Sequence, residues 1–444
     1  MRQSNDGMLG AMPVPRLVVT MSLPIMLSML ISAVYNLVDS VYVAQYSDEA
    51  FLALSYAYPI QMLLVAFCSG IGVGFSAIFS RRLGEGDQEQ AASAVCHGFF
   101  LYGLCWLLFL LFALTGAAPF LRLSTEDPSV ARQGAQYLLI CCGLSIGTCM
   151  QFLTERILQA MGRPAGFMIV QGSGAILNLI LDPIFIFVLD LGVAGAAAAT
   201  VIGQISGALI GFWLVYRLRR QLPIRLRGFR PRGEMLAEMG RVAAPAVVMQ
   251  SLSSFMSLGL NQLLTRWSES AVFVLGAYFK LQTFIFMPIF GISSGLIPIL
   301  SYNYGSGALR RVSASVRFGQ QFTAVLSLSG ALLLSLLASP LLRSAFQASP
   351  EALAMGAPAL RIIALSFFFA GTSIIFCSAF QSLGRSRWSL LVALLRQILL
   401  LLPAAALLLA LKPALVWAAF PLSELISCFA AALLYRRTIQ KQLL

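Results

Sequence analysis

The chain has 444 residues, of which 59% are hydrophobic and only 11% are charged, and its formal net charge at pH 7 is +13. A soluble domain carries about 25% charged residues, so this composition excludes a water-soluble globular protein. The long apolar runs that recur along the sequence instead predict an all-α membrane protein that crosses the bilayer many times.

Twelve apolar runs are each long enough to cross about 30 Å of hydrocarbon as a helix, which takes about 20 residues. They do not alternate between apolar and polar residues, which argues against a transmembrane β-barrel. The predicted spans lie near residues 17–45, 52–79, 94–118, 134–159, 165–189, 193–217, 238–265, 272–300, 318–341, 355–381, 389–411 and 414–436.

A basic linker at residues 218–237 divides the chain into an N-lobe, residues 1–217, and a C-lobe, residues 238–444. The two halves repeat each other with a nearly constant offset of 221 or 222 residues. The matching landmarks are Pro24 with Pro245, "GIGVG" at 70–74 with "GISSG" at 291–295, Gly84 and Gly86 with Gly305 and Gly307, and "QAMGR" at 159–163 with "QSLGR" at 381–385. Because six spans return the chain to its starting side, we expect two six-helix lobes related by a pseudo-two-fold axis along the membrane normal.

The basic residues predict the orientation. With twelve spans, 21 of the 30 Lys and Arg residues fall on the face that holds both termini, about six fall on the other face, and three lie within spans. Positive residues mark the cytoplasmic side, so we expect both termini in the cytoplasm and contacts with membrane lipids. The positive charge then requires no nucleic acid as a partner. The eight Cys and the single His show no spacing typical of a zinc site or of a disulfide framework.

Polar residues within the spans are the candidate functional residues, because a charge in the bilayer is costly and usually functional. Counting 1.5 Å per helical residue places Asp39, Asp182 and Thr200 at similar depths below the outer surface, with Asn178 one turn from Asp182 on the same helix face. Such oxygen atoms suit Na⁺, or two carboxylates that share a proton. With Na⁺, the ligands include Asp39, Asn178 and Asp182. A purely structural role, as helix caps or partners of buried amides, remains the alternative.

The C-terminal half contains charges of another kind. Lys280 lies near the middle of its span beside aromatic residues. It either lines a substrate cavity, or it extends its amine to the membrane surface or forms a structural pair. Arg396 and Glu424 lie at similar depth on consecutive antiparallel spans, which predicts an ion pair. Tyr35 and Tyr137 are further candidates for contacts with substrates, since aromatic rings bind flat or cationic compounds.

Several motifs resemble the MATE (multidrug and toxic compound extrusion) family of the MOP flippase superfamily, in order and over essentially the whole chain. They are Pro24 to Ala44 ("P-x14-D-S-V-Y-V-A"), "SRRLGEGD", "AMGRP", "NLILDP", "YFKLQTFIFMPIFG" and "PILSYNYG", of which the last two most resemble the MepA-type branch. The resemblance implies that cation or proton coupling depends on Asp39, Asn178 and Asp182, with the Thr200 hydroxyl in the same cluster. The repeat of Asp39 falls on Leu260 and that of Asp182 on Ala404, so the C-terminal half lacks an equivalent site.

The resemblance therefore implies a cation- or proton-coupled antiporter that exports organic, often cationic or amphiphilic, compounds by alternating access. We expect it to act as a monomer in the bacterial plasma membrane, with small organic substrates and with no cofactor besides H⁺ or Na⁺ as coupling ion. A flippase for a lipid-linked saccharide is the alternative within the same superfamily, but it favours a cavity rich in Arg. An enzyme needs a nucleophile and a base within hydrogen-bond reach, for which the spans offer no candidates, and a channel needs a symmetric filter ring.

Overall fold

The computed structural model describes residues 8–218 and 229–440. These residues are almost entirely helical. Residues 219–228, half of the basic linker, and both extreme termini, to which the predicted cytoplasmic location refers, lie outside the described residues.

The structure confirms the predicted spans. Among the described residues, ten helices are each long and apolar enough to cross a membrane, and two bent pairs raise the number to twelve when each pair is counted as one span. The helices of the first half are α1 (Val14–Tyr46), α2 (Asp48–Gly84), α3 (Gln88–Thr115), α4a (Pro128–Gly143), α4b (Ile146–Ala160), α5 (Pro164–Val188) and α6 (Gly192–Arg217). Those of the second half are α7 (Gly233–Thr265), α8 (Glu269–Gly305), α9 (Leu309–Ser344), α10a (Pro350–Ala364), α10b (Phe367–Ser382), α11 (Ser386–Leu411) and α12 (Pro413–Thr438).

The fourth and tenth spans are bent, which the hydropathy pattern did not predict. Each pair changes direction by 43° at a break of a few residues. At both breaks a serine hydroxyl donates a hydrogen bond to a backbone carbonyl three residues earlier, from Ser145 to Cys142 at 2.7 Å and from Ser366 to Ile363 at 2.6 Å. Such local bonds compete with the regular helical pattern and bend helices.

The internal repeat extends to local backbone geometry. Ser47 and Ser268 each begin a helix, and each hydroxyl oxygen accepts a hydrogen bond from a backbone N–H in the first turn. The turns after α2 and α8 place Gly86 and Gly307 at φ of +75° and +76°, a left-handed conformation that favours glycine. Serine caps and glycine turns thus explain why these residue types recur 221 positions apart.

The described chain forms two compact units. The first comprises residues up to Gly10 and Leu27–Val247, and the second comprises Ala11–Met26 and the residues from Val248 onward. The changes of unit therefore fall inside α1 and α7, within three residues of Pro24 and Pro245, which both lie inside their helices. A proline lacks the backbone N–H and so removes one helical hydrogen bond, which makes both helices easier to bend near these positions.

Close helix contacts explain the repeated glycine motif. In the first unit, a Cβ atom added at Gly70 of α2 would lie 2.7 Å from the backbone nitrogen of Val247 on α7. In the second unit, a Cβ atom at Gly291 of α8 would lie 2.8 Å from the backbone nitrogen of Met26 on α1. Small residues at this spacing let membrane helices approach closely, so the motif serves packing in both units.

A cluster of buried oxygen atoms in the first unit

The candidate site depends on an unusually close approach of α5 and α6. A Cβ atom at Gly203 of α6 would lie 2.7 Å from the backbone oxygen of Gly174 on α5, and one at Gly174 would lie 2.9 Å from the backbone oxygen of Gly203. Only glycine permits this spacing without a shift of backbone. The contact brings the side chain of Asn178, one turn after Gly174, against α6.

Three of the four predicted coupling residues are joined by hydrogen bonds. The Asn178 side-chain amide donates to Asp182 Oδ1 at 3.0 Å and to Thr200 Oγ1 at 3.3 Å. Asn178 is 3% exposed and Asp182 is 0% exposed, so this cluster is shielded from solvent. The hydrogen bonds show that Asn178, Asp182 and Thr200 lie together, as the depth estimate from the sequence predicted.

Asp39, the fourth residue, lies on α1 within the same unit and is half-buried. Its carboxylate interacts electrostatically with that of Asp182. The Tyr35 hydroxyl, one turn earlier on α1, lies within electrostatic reach of Asp39, Asp182 and Glu155. Asp39 and Asp182 thus form a pair of acidic side chains within electrostatic reach of each other, with a phenol beside them.

Several oxygen atoms of the cluster accept no hydrogen bond from any described residue. They are Asp39 Oδ1, Asn178 Oδ1 and Asp182 Oδ2, and each is buried. Leaving a buried acceptor unsatisfied typically costs about 1–3 kcal/mol, and more for a charged group. Oxygen atoms from carboxylates and an amide are ligands that a hard cation accepts, and a proton shared by two carboxylates removes their repulsion. The donor set therefore fits either Na⁺ or H⁺.

A small cavity of about 20 Å³ adjoins this cluster, enough space for a single water molecule. Its walls are formed by Tyr35, Gln151, Gln171, Gly174, Ala175, Asn178, Thr200 and Gln204. Gln171 donates a hydrogen bond to Ser32 Oγ at 2.6 Å, and Gln151 donates one to Glu155 Oε1 at 2.9 Å. The sequence analysis did not select these two glutamines, although amides within apolar spans were a visible signal.

The remaining predicted residues lie in different surroundings. Tyr137 is 2% exposed within the hydrophobic core of the first unit, and its hydroxyl accepts a hydrogen bond from the Gln61 side chain at 2.6 Å. Tyr137 also lies within electrostatic reach of Asp39. Lys280 belongs to the second unit, where its side chain is exposed and has no ion-pair partner among residues 8–218 and 229–440.

The predicted ion pair in the second unit is confirmed. Arg396 donates two hydrogen bonds to Glu424 Oε1, from Nε at 3.0 Å and from Nη2 at 2.8 Å. Both side chains are 13% exposed. The pair connects α11 to α12, so these charges neutralise each other within the second unit.

Comparisons with known proteins agree with this architecture. A multidrug export protein, MepA, from Staphylococcus aureus (strain MRSA252) is 26% identical over 402 residues, which cover 88% of this chain and 86% of the relative. A FAD transporter from Shewanella oneidensis is also 26% identical, over 421 residues that cover 91% of this chain and 90% of the relative.

Two solved structures share the fold. One is an outward-facing conformation of a multidrug resistance MATE family transporter of the MOP superfamily, with a TM-score of 0.93 at 22% identity over 99% of both chains. The other is a MOP superfamily transporter from Pyrococcus furiosus, with a TM-score of 0.91 at 23% identity over 99% of both chains.

The sequence model of the MatE family matches residues 24–184 and 245–407, one stretch in each half of the chain. These two stretches contain the repeated glycine motifs, the acidic pair of the first unit and Lys280 of the second. The match covers well over half of the chain. This multi-pass membrane protein therefore belongs to the MatE family.

Proposed function

We propose that this protein is an antiporter that exports organic, often cationic or amphiphilic, compounds in exchange for an inward flow of H⁺ or Na⁺. The observation that carries the proposal is a pair of acids with buried oxygen atoms, Asp39 Oδ1 and Asp182 Oδ2, which like Asn178 Oδ1 have no hydrogen-bond partner among the described residues. The function of the Staphylococcus aureus relative, multidrug export, supports the choice of substrate class.

The coupling follows from the cost of buried charge. A carboxylate near the bilayer centre costs about 2.5–3.5 kcal/mol or more, and two close carboxylates repel each other in addition. A bound cation relieves both costs, so the loaded and unloaded cluster favour different arrangements of α1, α5 and α6. An ion that enters from one side and leaves on the other can then drive a change in access for the substrate.

In this proposal the amide of Asn178 orients the cluster. Its Nδ2 holds one oxygen of Asp182 and the hydroxyl of Thr200, which leaves Asn178 Oδ1 and Asp182 Oδ2 for the ion. Asp39 supplies a ligand from α1. Tyr35, Tyr137 and Lys280 are the proposed contacts with substrate.

We place the protein in the plasma membrane of a bacterium with both termini in the cytoplasm, acting as a monomer and with no catalytic step of its own. The excess of basic residues on the face that holds the termini supports this orientation. The saccharide flippase gains no support, since Arg396, a basic side chain in the middle of its span, is paired with Glu424.

Export of a flavin dinucleotide is a second candidate function, favoured by the FAD transporter of Shewanella oneidensis, which is as similar to this chain as the multidrug exporter is. Such a substrate is anionic and flat. It suits the exposed Lys280 better than a cationic dye does, because an amine attracts phosphate groups.

The test is export from proteoliposomes that contain the purified protein, first under an imposed proton gradient and then under a Na⁺ gradient. We expect one of the two gradients to drive efflux of a cationic dye, and Asp39→Asn and Asp182→Asn to abolish it. The same vesicles loaded with FAD distinguish the second candidate. Wild-type efflux in either variant would contradict the proposed coupling site.

A further inference from the structure

Three buried cysteine thiols meet in the core of the first unit, away from the oxygen cluster. Cys68 lies on α2, Cys105 on α3 and Cys149 at the start of α4b, and their exposed fractions are 0%, 4% and 0%. Their sulfur atoms all lie within 4.8 Å of one another, and Cys68 Sγ is 3.8 Å from Cys149 Sγ. The three cysteines take no part in the ion coupling or the substrate binding proposed above.

The spacing of the sulfur atoms fits ligands around a single metal ion. A metal–sulfur distance of about 2.3 Å, as in zinc–thiolate sites, corresponds to sulfur atoms about 4 Å apart when three of them surround the ion in a plane. The measured 3.8 Å between Cys68 and Cys149 agrees with this value. Among the His, Cys, Asp and Glu side chains that the structure describes, these three cysteines are the group whose ligand atoms all lie within 4.8 Å of one another.

The ligand chemistry selects the kind of metal. Thiolates prefer soft ions such as Cu(I), whereas zinc almost always takes four ligands in structural sites. His97, the single histidine, is engaged elsewhere, since its Nε2 accepts a hydrogen bond from the backbone N–H of Arg232. Three sulfur ligands, with no further His, Cys, Asp or Glu in the group among the described residues, therefore favour a three-coordinate soft ion.

A buried positive charge lies beside the trio. The hydroxyl of Tyr102 donates a hydrogen bond to the backbone oxygen of Cys68 at 2.9 Å. A Cβ atom added at Gly72 would lie 2.9 Å from both this hydroxyl and Arg156 Nε. The guanidinium of Arg156 and the phenol of Tyr102 therefore both pack against Gly72. Arg156 is 5% exposed, and its Nε has no hydrogen-bond partner among the described residues. Arg156 also interacts electrostatically with Glu155, and a metal–thiolate group of negative net charge would add a second favourable interaction with this cation.

We propose that Cys68, Cys105 and Cys149 form a binding site for one soft monovalent metal ion, Cu(I) under cellular conditions. Each thiol that becomes a ligand releases its proton to solvent, and the copper remains in the +1 state, so the step needs no oxidant or reductant. The bound ion would join α2, α3 and α4b and thereby stabilise the core of the first unit.

The test is anaerobic titration of the purified, reduced protein against a coloured Cu(I)–bathocuproine disulfonate complex. We expect the wild type to remove one Cu(I) per chain from the chelator and to melt at a higher temperature once loaded. Removing a residue that only hydrogen-bonds to a metal ligand typically lowers metal affinity about 10–100-fold. Because Cys105 is a proposed ligand itself, Cys105→Ser should lower the Cu(I) affinity by at least this factor. The control is Cys377→Ser, which removes a buried thiol of the second unit and should leave binding unchanged.

X-ray absorption of the copper-loaded wild type makes the test independent of how well the variants fold. We expect three sulfur neighbours around copper. The proposal is overturned if the wild type leaves Cu(I) on the chelator, if copper has fewer than three sulfur neighbours, or if Cys105→Ser and Cys377→Ser bind copper equally well.

Discussion

The two halves of the chain repeat the same helices and glycine turns but treat buried charge in opposite ways. In the first half, Asp39 and Asp182 are both acids, and each leaves a buried oxygen atom without a hydrogen-bond partner among the described residues. In the second half, Arg396 donates two hydrogen bonds to Glu424 Oε1, so the opposite charges are paired, although Glu424 Oε2 is likewise buried without a hydrogen-bond partner among the described residues. Duplicated architecture therefore does not require duplicated chemistry.

The difference assigns different roles to the two charge pairs. A matched pair of opposite charges has little to gain from an external ion, and its loss is expected to damage the fold. Two like charges with unpaired oxygen atoms are costly until something binds them, so their loss is expected to damage the function. Variants that separate stability from transport can sharpen or break this comparison.

The largest expected effect is on transport through the first half. Asp182→Asn and Asp39→Asn each remove a charge while keeping the size of the side chain, so we expect folded protein whose gradient-driven efflux falls to that of empty liposomes. Dye efflux and size-exclusion profiles of the same preparations check this prediction. The control is Asp190→Asn, which alters an exposed acid that accepts a hydrogen bond from Tyr46 at 2.9 Å.

The next effect is on stability through the second half. Arg396→Ala leaves Glu424 buried without its partner, which typically costs about 3–5 kcal/mol, so we expect a large fall in folded yield and thermal stability. Replacing Arg396 and Glu424 together by leucine should restore much of the loss. Arg361→Ala is the control, because Arg361 is exposed and donates a hydrogen bond to the backbone oxygen of Ser335. Equal stability of Arg396→Ala and Arg361→Ala would refute a structural role for the pair.

A moderate effect is expected where helix packing positions the oxygen cluster. Gly203→Ala adds a methyl group 2.7 Å from the backbone oxygen of Gly174, and overpacking of this kind costs about 1–3 kcal/mol. We also expect slower transport, because α6 carries Thr200. Gly172→Ala is the matched control on α5, since nothing lies within 4 Å of a Cβ atom there. Melting temperatures and efflux rates should change in Gly203→Ala and stay near wild type in Gly172→Ala.

The smallest effect on stability is expected at Lys280. Its side chain is exposed, and substitutions at such places usually change stability by no more than about 0.5 kcal/mol. Lys280→Ala should therefore fold normally and alter the relative efflux of anionic and cationic substrates. If Lys280→Ala fails to fold, then Lys280 has a structural role and the functional role assigned to it is wrong.

The sequence predicted the number and order of spans well, because length and hydropathy are sufficient for that purpose. Helix ends were less accurate: the second predicted span, 52–79, is the apolar centre of a helix that runs from Asp48 to Gly84. The bends near Ser145 and Ser366 were missed, since a serine within an apolar run gives no sign that its hydroxyl will bond the backbone and bend the helix.

The candidate site was predictable where the argument needed only helix direction and depth. That reasoning placed Asn178, Asp182 and Thr200 at one level, and the hydrogen bonds agree. It could not show which helices are lateral neighbours. The sulfur atoms of Cys68, Cys105 and Cys149 come from three separate helices, so no spacing in the sequence indicated that they meet.

The most direct test of the central claim is to record dye export and the opposing ion flow in the same proteoliposomes, with a luminal pH indicator in one set and radioactive sodium in a second. For the wild type, we predict that each pulse of dye export is accompanied by movement of one of the two ions in the opposite direction, and that Asp182→Asn loses both flows together. Dye export against a gradient by Asp182→Asn, with ion movement at the wild-type rate, would contradict the account.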